Sequence, residues 1–164
     1  MTFKTLSLAL ATALSLTTPT LASGVEHVME VEGWDIYVDH GENLGCFMHA
    51  EFDDGTSFRI GFMNGGTSAY LFALNSDWDF FEAGEDYALT AVLNDNAFEG
   101  IGTGAELDGV PGIDIAFDSE EFAAELLEGG GVLTILMDDT EMYSLDMEGS
   151  GEAFLAAAFC EAAQ

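Results

Sequence analysis

Few side chains in this chain have types that do chemistry: three imidazoles at His27, His40 and His49, one arginine at Arg59, and two thiols at Cys46 and Cys160. His49 and Glu51 stand at i and i+2, which places both on one face of a strand and offers two ligands to a divalent metal. A zinc centre needs at least one more ligand at a constrained position, and Asp39-His40 in the neighbouring turn is only a loose candidate. A surface strand residue is the simpler reading of His49. Arg59 falls across from His49 and near Glu51 when the two strands are aligned by their apolar faces, so a cross-strand ion pair accounts for it. Capture of an anionic ligand is the sharper alternative, opposed by the many carboxylates that surround one guanidinium.

Other motifs select little. Gly100-Ile101-Gly102-Thr103-Gly104-Ala105 matches a dinucleotide fingerprint in letters, but that motif needs a strand before it and a helix after it. With Glu99, Glu106 and Asp108 at hand to repel a pyrophosphate, a flexible turn or a glycine-rich strand is expected. Acidic loops such as Asn94-Asp95-Asn96 and Asp138-Asp139 supply hard oxygen ligands for calcium, yet none has the spacing of a helix–loop–helix calcium site. Among 31 acids any pair of carboxylates arises by chance, so glycoside hydrolysis is not selected either. No serine sits in a strand-to-helix nucleophile elbow. No cofactor is implied.

The N-terminus reads as an export signal. Lys4 gives a basic start, residues 6–16 an apolar stretch, and residues 19–23 a small-residue exit with cleavage near Ala22 or Ser23. The apolar stretch is shorter than the roughly 20 residues that cross a bilayer. Residues 1–23 are therefore expected to be a signal peptide and 24–164 one domain, placed in the periplasm or secreted. Cys46 and Cys160 then close a disulfide in an oxidising compartment, tying the C-terminus to the first part of the fold. Arg59 remains the sole cation of that domain against 31 acids. Such a field repels phosphates and anionic lipid, which excludes nucleic acid as a partner and leaves cationic partners, divalent ions or a saline medium open.

Periodicity supplies the frame for these residues. Residues 33–39 alternate Trp34, Ile36 and Val38 with polar neighbours and are expected as the first strand. Strands at 46–52 and 56–63 flank Asp53-Asp54-Gly55, and only an odd loop pairs Ala50 with Phe58 and Met48 with Ile60. After a turn at Asn64-Gly65-Gly66, residues 68–75 are apolar on both faces and read as central. A connection carrying Trp78, Phe80 and Phe81 is expected to cap the core before a strand at 87–93. Residues 97–105 are weakly patterned, and 110–117 form a short strand. Ser119 is expected to cap a helix with Phe122, Leu126 and Leu127 inward, ended by Gly129 to Gly131. A second three-residue hairpin joins 132–137 to 141–147, and Ser150 caps an Ala-rich helix to about Ala162. About eight strands and two helices predict a mainly β fold, an antiparallel β-sandwich or partly closed barrel with the C-terminal helix tethered by the disulfide.

The order of Gly33-Trp34, the Cys46 strand, Asp54-Gly55-Thr56, Asn75 with Trp78, Gly84 with Tyr87 and a terminal Gly149-Ser150 helix resembles small exported proteins of Alphaproteobacteria, loosely those of the invasion-associated locus B type. The resemblance implies a periplasmic β-sandwich and carries over no catalytic residue; the second cysteine pair of that type is absent. The expected role is a non-catalytic module that binds an unknown protein or envelope component. A calcium-dependent module and a hydrolase with dispersed carboxylates are the alternatives.

Overall fold

Tight turns with both central residues in the left-handed region set most of the architecture. They occur at Glu32-Gly33 (φ 49° and 86°), Asn94-Asp95 (50° and 66°), Asp108-Gly109 (53° and 83°) and Asp138-Asp139 (50° and 59°). Such turns twist in the sense of the strands they join, so each closes a two-residue hairpin. A computed structural model describes residues 24–41, 44–63, 68–117 and 120–164. The expected signal segment 1–23, the turn at Asn64-Gly65-Gly66 and the Ser119 cap lie outside the described residues.

Along the described chain run β1 (Val25–Val31), β2 (Trp34–Asp39), β3 (Leu44–Glu51), β4 (Ser57–Met63), β5 (Ser68–Leu74), β6 (Asp86–Leu93), β7 (Asn96–Leu107) and β8 (Val110–Phe117). Helix α1 (Glu120–Glu128), β9 (Val132–Met137), β10 (Thr140–Asp146) and α2 (Ser150–Ala162) complete it. The strands form one antiparallel sheet in the order β1-β2-β3-β4-β5-β8-β7-β6-β9-β10, which is not closed. The mainly antiparallel fold with two helices is thus as expected, with β5 in mid-sheet.

The sheet curls around one core. Trp34 and Ile36 of β2, Phe58 and Ile60 of β4, Leu71 of β5, Leu133 of β9 and Leu145 of β10 belong to a single buried cluster, joined by Phe122 and Leu126 of α1 and Phe154 and Ala157 of α2. Burying each of the Ile, Leu and Phe side chains among them contributes about 1.5–3 kcal/mol. Helix α2 packs on α1 and across β2, β3 and β4, and the Cys46–Cys160 disulfide tethers it to β3. The Cys46 backbone N–H donates to Glu161 Oε2 at 2.8 Å beside that bond. In the connection after β5, Trp78 and Phe81 are buried and cap the core while Phe80 is exposed. Among the described residues no helix is long and apolar enough to cross a membrane.

The β3–β4 hairpin has the expected register, Ala50 against Phe58 and Met48 against Ile60. Four expectations are corrected. The first strand is β1, an edge strand exposed on both faces and therefore without a hydrophobic period. Residues 97–105 are not among them: of the flexible turn and the glycine-rich strand expected around Gly100 to Ala105 the strand is formed, within the long strand β7, whose inward positions Gly100, Gly102 and Gly104 carry no side chain to reveal the alternation. The β9–β10 turn is Asp138-Asp139 alone, and a bulge between Glu141 and Tyr143 restores Tyr143 opposite Ile135 and Leu145 opposite Leu133. At the helices, Leu127 lies 49% exposed, one residue past the stripe that Phe122 and Leu126 define; Gly149, with φ 76°, holds the N-cap position that Ser150 was expected to fill.

Candidate functional site

Strand register carries the chemistry-bearing side chains onto the outer face of the sheet. Because β2 pairs with β3, Asp35 faces His49 and Tyr37 faces Phe47. The three-residue hairpin then sets His49 opposite Arg59 and Glu51 opposite Ser57. Next, β5 brings Phe72 beside Arg59 and Tyr70 beside Gly61, and β8 adds Asp114 beside Phe72. The result is a row, Asp35–His49–Arg59–Phe72–Asp114, crossing five strands. Sequence reasoning placed His49 and Arg59 in it correctly.

It missed what Arg59 rests on. The expected ion pair with Glu51 is not formed; among the described residues Arg59 makes no salt bridge, and its Cζ lies 5.1 Å from the centroid of the Phe47 ring. Phe47 stacks in turn on Tyr37 at 5.4 Å and an interplanar angle of 18°, and Tyr37 makes T-shaped contacts with His49 and His27 at 5.8 and 5.2 Å. A guanidinium over an aromatic face is held by the ring's quadrupole and keeps its outer edge for other partners. Only the outward alternation of Tyr37, Phe47 and Phe72 could have signalled this, and aromatic residues in strands ordinarily read as core. Arg59 Nε is buried and without a hydrogen-bond partner among the described residues, as is His49 Nδ1.

His49 Nε2 lies 3.0 Å from Ser57 Oγ. Burial, and after it the Arg59 charge, push the His49 pKa below its ordinary 6.5, with Glu51 and Asp35 opposing; the imidazole is neutral at pH 7. Burial likewise pushes the Tyr70 phenol up, so it stays protonated. Val25, Tyr37, Phe47, His49, Glu51, Ser57 and Arg59 together line a shallow concavity of about 280 Å³. A serine beside an imidazole looks like half of a nucleophile–base couple. The orienting carboxylate is engaged elsewhere, however, because Asp35 Oδ1 bonds His27 Nε2 at 2.9 Å. Ser57 also lies inside a ladder flanked by β3 and β5, which takes up the backbone N–H groups an oxyanion would need.

The metal reading finds no third ligand. His49 and Glu51 share a face, but His40 turns to Glu26, with Nε2 3.6 Å from Oε2. No group of three or more His, Cys, Asp or Glu suited to a metal gathers among the described residues. A broader depression of about 540 Å³ on the opposite half of the sheet gathers Glu99, Asp138 and Asp139 beside Thr90 and Ile101, with no opposite charge to orient a ligand. The glycines of the fingerprint-like segment are strand residues in β7, as the glycine-rich alternative expected. No family model, curated protein or solved structure matches the chain.

Proposed function

We propose that this chain is an exported, non-catalytic binding module of the periplasm or the extracellular space, and that it recognises its target with the outer face of β2, β3 and β4 around Arg59. The observation that carries this reading is the state of that arginine. It is the only cation besides Lys4 in a chain with 31 acids, yet among the described residues it pairs with none of them and lies on an aromatic ring at the side of a concavity. A guanidinium kept from the carboxylates of its own chain is free for a ligand's acceptor.

The disulfide suits an oxidising compartment, and the resemblance to exported envelope proteins points the same way. The acidic surface disfavours nucleic acid and anionic membranes, leaving small molecules and cationic or neutral proteins as targets. Native mass spectrometry of protein recovered from the exported fraction tests the reading. A bound species retained by the wild type and lost from Arg59→Gln is expected. Ester or glycoside turnover abolished by Ser57→Ala or His49→Gln would overturn it.

A further inference from the structure

The concavity beside Arg59 brings one guanidinium, one exposed carboxylate at Glu51 and one imidazole together against Tyr37, Phe47 and Val25. A planar guanidinium matches a planar carboxylate through two parallel N–H···O bonds. A phosphate dianion calls for a second cation or a helix N-terminus, and neither lines this concavity. Every further negative charge on a ligand also meets the repulsion of the chain's own acids, so a monoanion loses least. The remaining wall is the Tyr37 ring and the exposed Val25 side chain, which suit a flat apolar body. We infer that this face binds a small organic monocarboxylate with an aromatic or apolar body, its carboxylate on Arg59 and its body against Tyr37 and Val25. The inference rests on the binding-module reading and names its ligand class.

Two electrostatic effects of different reach act on such a ligand. Attraction to Arg59 works at contact, opposed there by Glu51 alone among the described residues, whereas the rest of the repulsion comes from carboxylates spread over the whole surface. Raising the ionic strength from about 0.01 to about 0.15 M shortens the screening length from about 30 to about 8 Å, which removes the distant repulsion before the contact pair. Affinity therefore tightens with salt over this range, the reverse of a simple exposed ion pair.

Titration of the isotope-labelled, disulfide-bonded protein with benzoate, benzamide and phenyl phosphate, followed by NMR at both ionic strengths, tests this. Benzoate is expected to shift the Arg59 Nε–H and the Tyr37 and His49 signals saturably, about threefold tighter at the higher salt; benzamide binds at least about tenfold more weakly. Arg59→Gln loses about tenfold or more in benzoate affinity, and Arg59→Lys, which keeps the charge but not the fork, loses a similar factor while retaining the wild-type spectrum elsewhere. Absence of a saturable benzoate shift, equal affinity in Arg59→Lys, or tighter binding of phenyl phosphate would each overturn the inference. If an Arg59-dependent species still copurifies while benzoate gives no shift, the carboxylate class falls and the binding-module reading stands. Loss of both takes down the two together.

Discussion

The indole Nε1–H of Trp34, at the start of β2, donates to the main-chain carbonyl of Glu148, just past β10, over 3.0 Å. These residues belong to opposite ends of the sheet order, so one hydrogen bond reports how far an unclosed sheet has curled. The same ring meets Phe52 and Phe58 edge-on at 6.3 Å each. Trp34→Phe keeps most of the ring and removes the donor, and is expected to cost about 1–2 kcal/mol; Trp34→Ala, which also opens a cavity, should cost about 3–5 kcal/mol. Urea unfolding followed by far-UV circular dichroism measures both, and equal losses would show that the hydrogen bond contributes nothing.

Cys46 and Cys160 lie 5.8 Å apart at Cα and 114 residues apart in sequence. Loop-closure entropy for a cross-link of that span stabilises by at most about 5 kcal/mol. The Cys46→Ser, Cys160→Ser double variant is expected to lose about 3–5 kcal/mol, with reductant lowering the wild type to the same urea midpoint. A non-reducing peptide map locates the bond. Unchanged midpoints with and without reductant would place the stability of α2 in its packing alone.

Three glycines on the inward face of β7 differ in what a methyl group would meet. At Gly104 an added Cβ runs into the Glu82 carbonyl, and at Gly102 it sits 2.6 Å from Leu89 Cδ1 and 2.7 Å from Ile113 Cγ1. At Gly100 the nearest atom, Ile115 Cγ2, is 3.9 Å away. Gly104→Ala is expected to cost the most, because a backbone carbonyl cannot rotate away, and Gly102→Ala about 1–3 kcal/mol. Gly100→Ala is expected to be neutral or slightly stabilising, since it removes backbone entropy from the unfolded chain. Thermal melts of the three variants give the order directly.

How much of this was legible depended on whether a side chain faced the core. The β3–β4 register could be derived because Met48, Ala50, Phe58 and Ile60 all point inward, and parity then fixed the loop; His49 opposite Arg59 followed. β1 could not be read, since Val25, Val28 and Met29 are exposed on an edge and impose no period. β7 was half legible: a glycine-rich strand was one of two readings of its middle, and beyond Phe98 the inward positions Gly100, Gly102 and Gly104 have no side chain to set the period. The partner of Arg59 was illegible for another reason: register put Glu51 and Phe47 equally close on either side, and side-chain geometry chose the ring.

His49 makes stability depend on pH with a definite sign. Its folded pKa lies below 6.5, chiefly through burial, while in the unfolded chain it protonates at the ordinary value. Between the two values the unfolded state binds more protons, so stability falls as the pH drops through about 6.5 and the loss levels off below the folded pKa. His49→Gln removes that dependence. The wild-type unfolding free energy minus that of the variant is therefore expected to decrease from about pH 7.5 to about pH 5. A difference that stays flat would mean that His49 is as easily protonated folded as unfolded, and one that increases that it is more easily protonated folded.

The formal charge of −29 predicts the response to salt. Among the described residues the only contacts at ion-pair distance are His27 with Asp35 and His40 with Glu26, each charged only when the imidazole is protonated, so almost every carboxylate contributes to repulsion without a compensating partner. Folding concentrates these charges, and the penalty shrinks as the screening length falls to about 3 Å at 1 M salt. Sodium chloride at about 1 M is expected to raise the Tm by on the order of 5 °C, given about 3–4 °C per kcal/mol for a chain of this size. Ionic strength alone should set this rise, so calcium chloride at matched ionic strength gives nearly the same curve. A saturable increase at millimolar calcium, absent with sodium, would instead reveal specific ligation and favour the ion-dependent alternative. A Tm that is flat in both salts would mean that the carboxylates are too dispersed to repel one another measurably in the folded state, and the salt-tightened affinity expected at Arg59 would lose its physical basis.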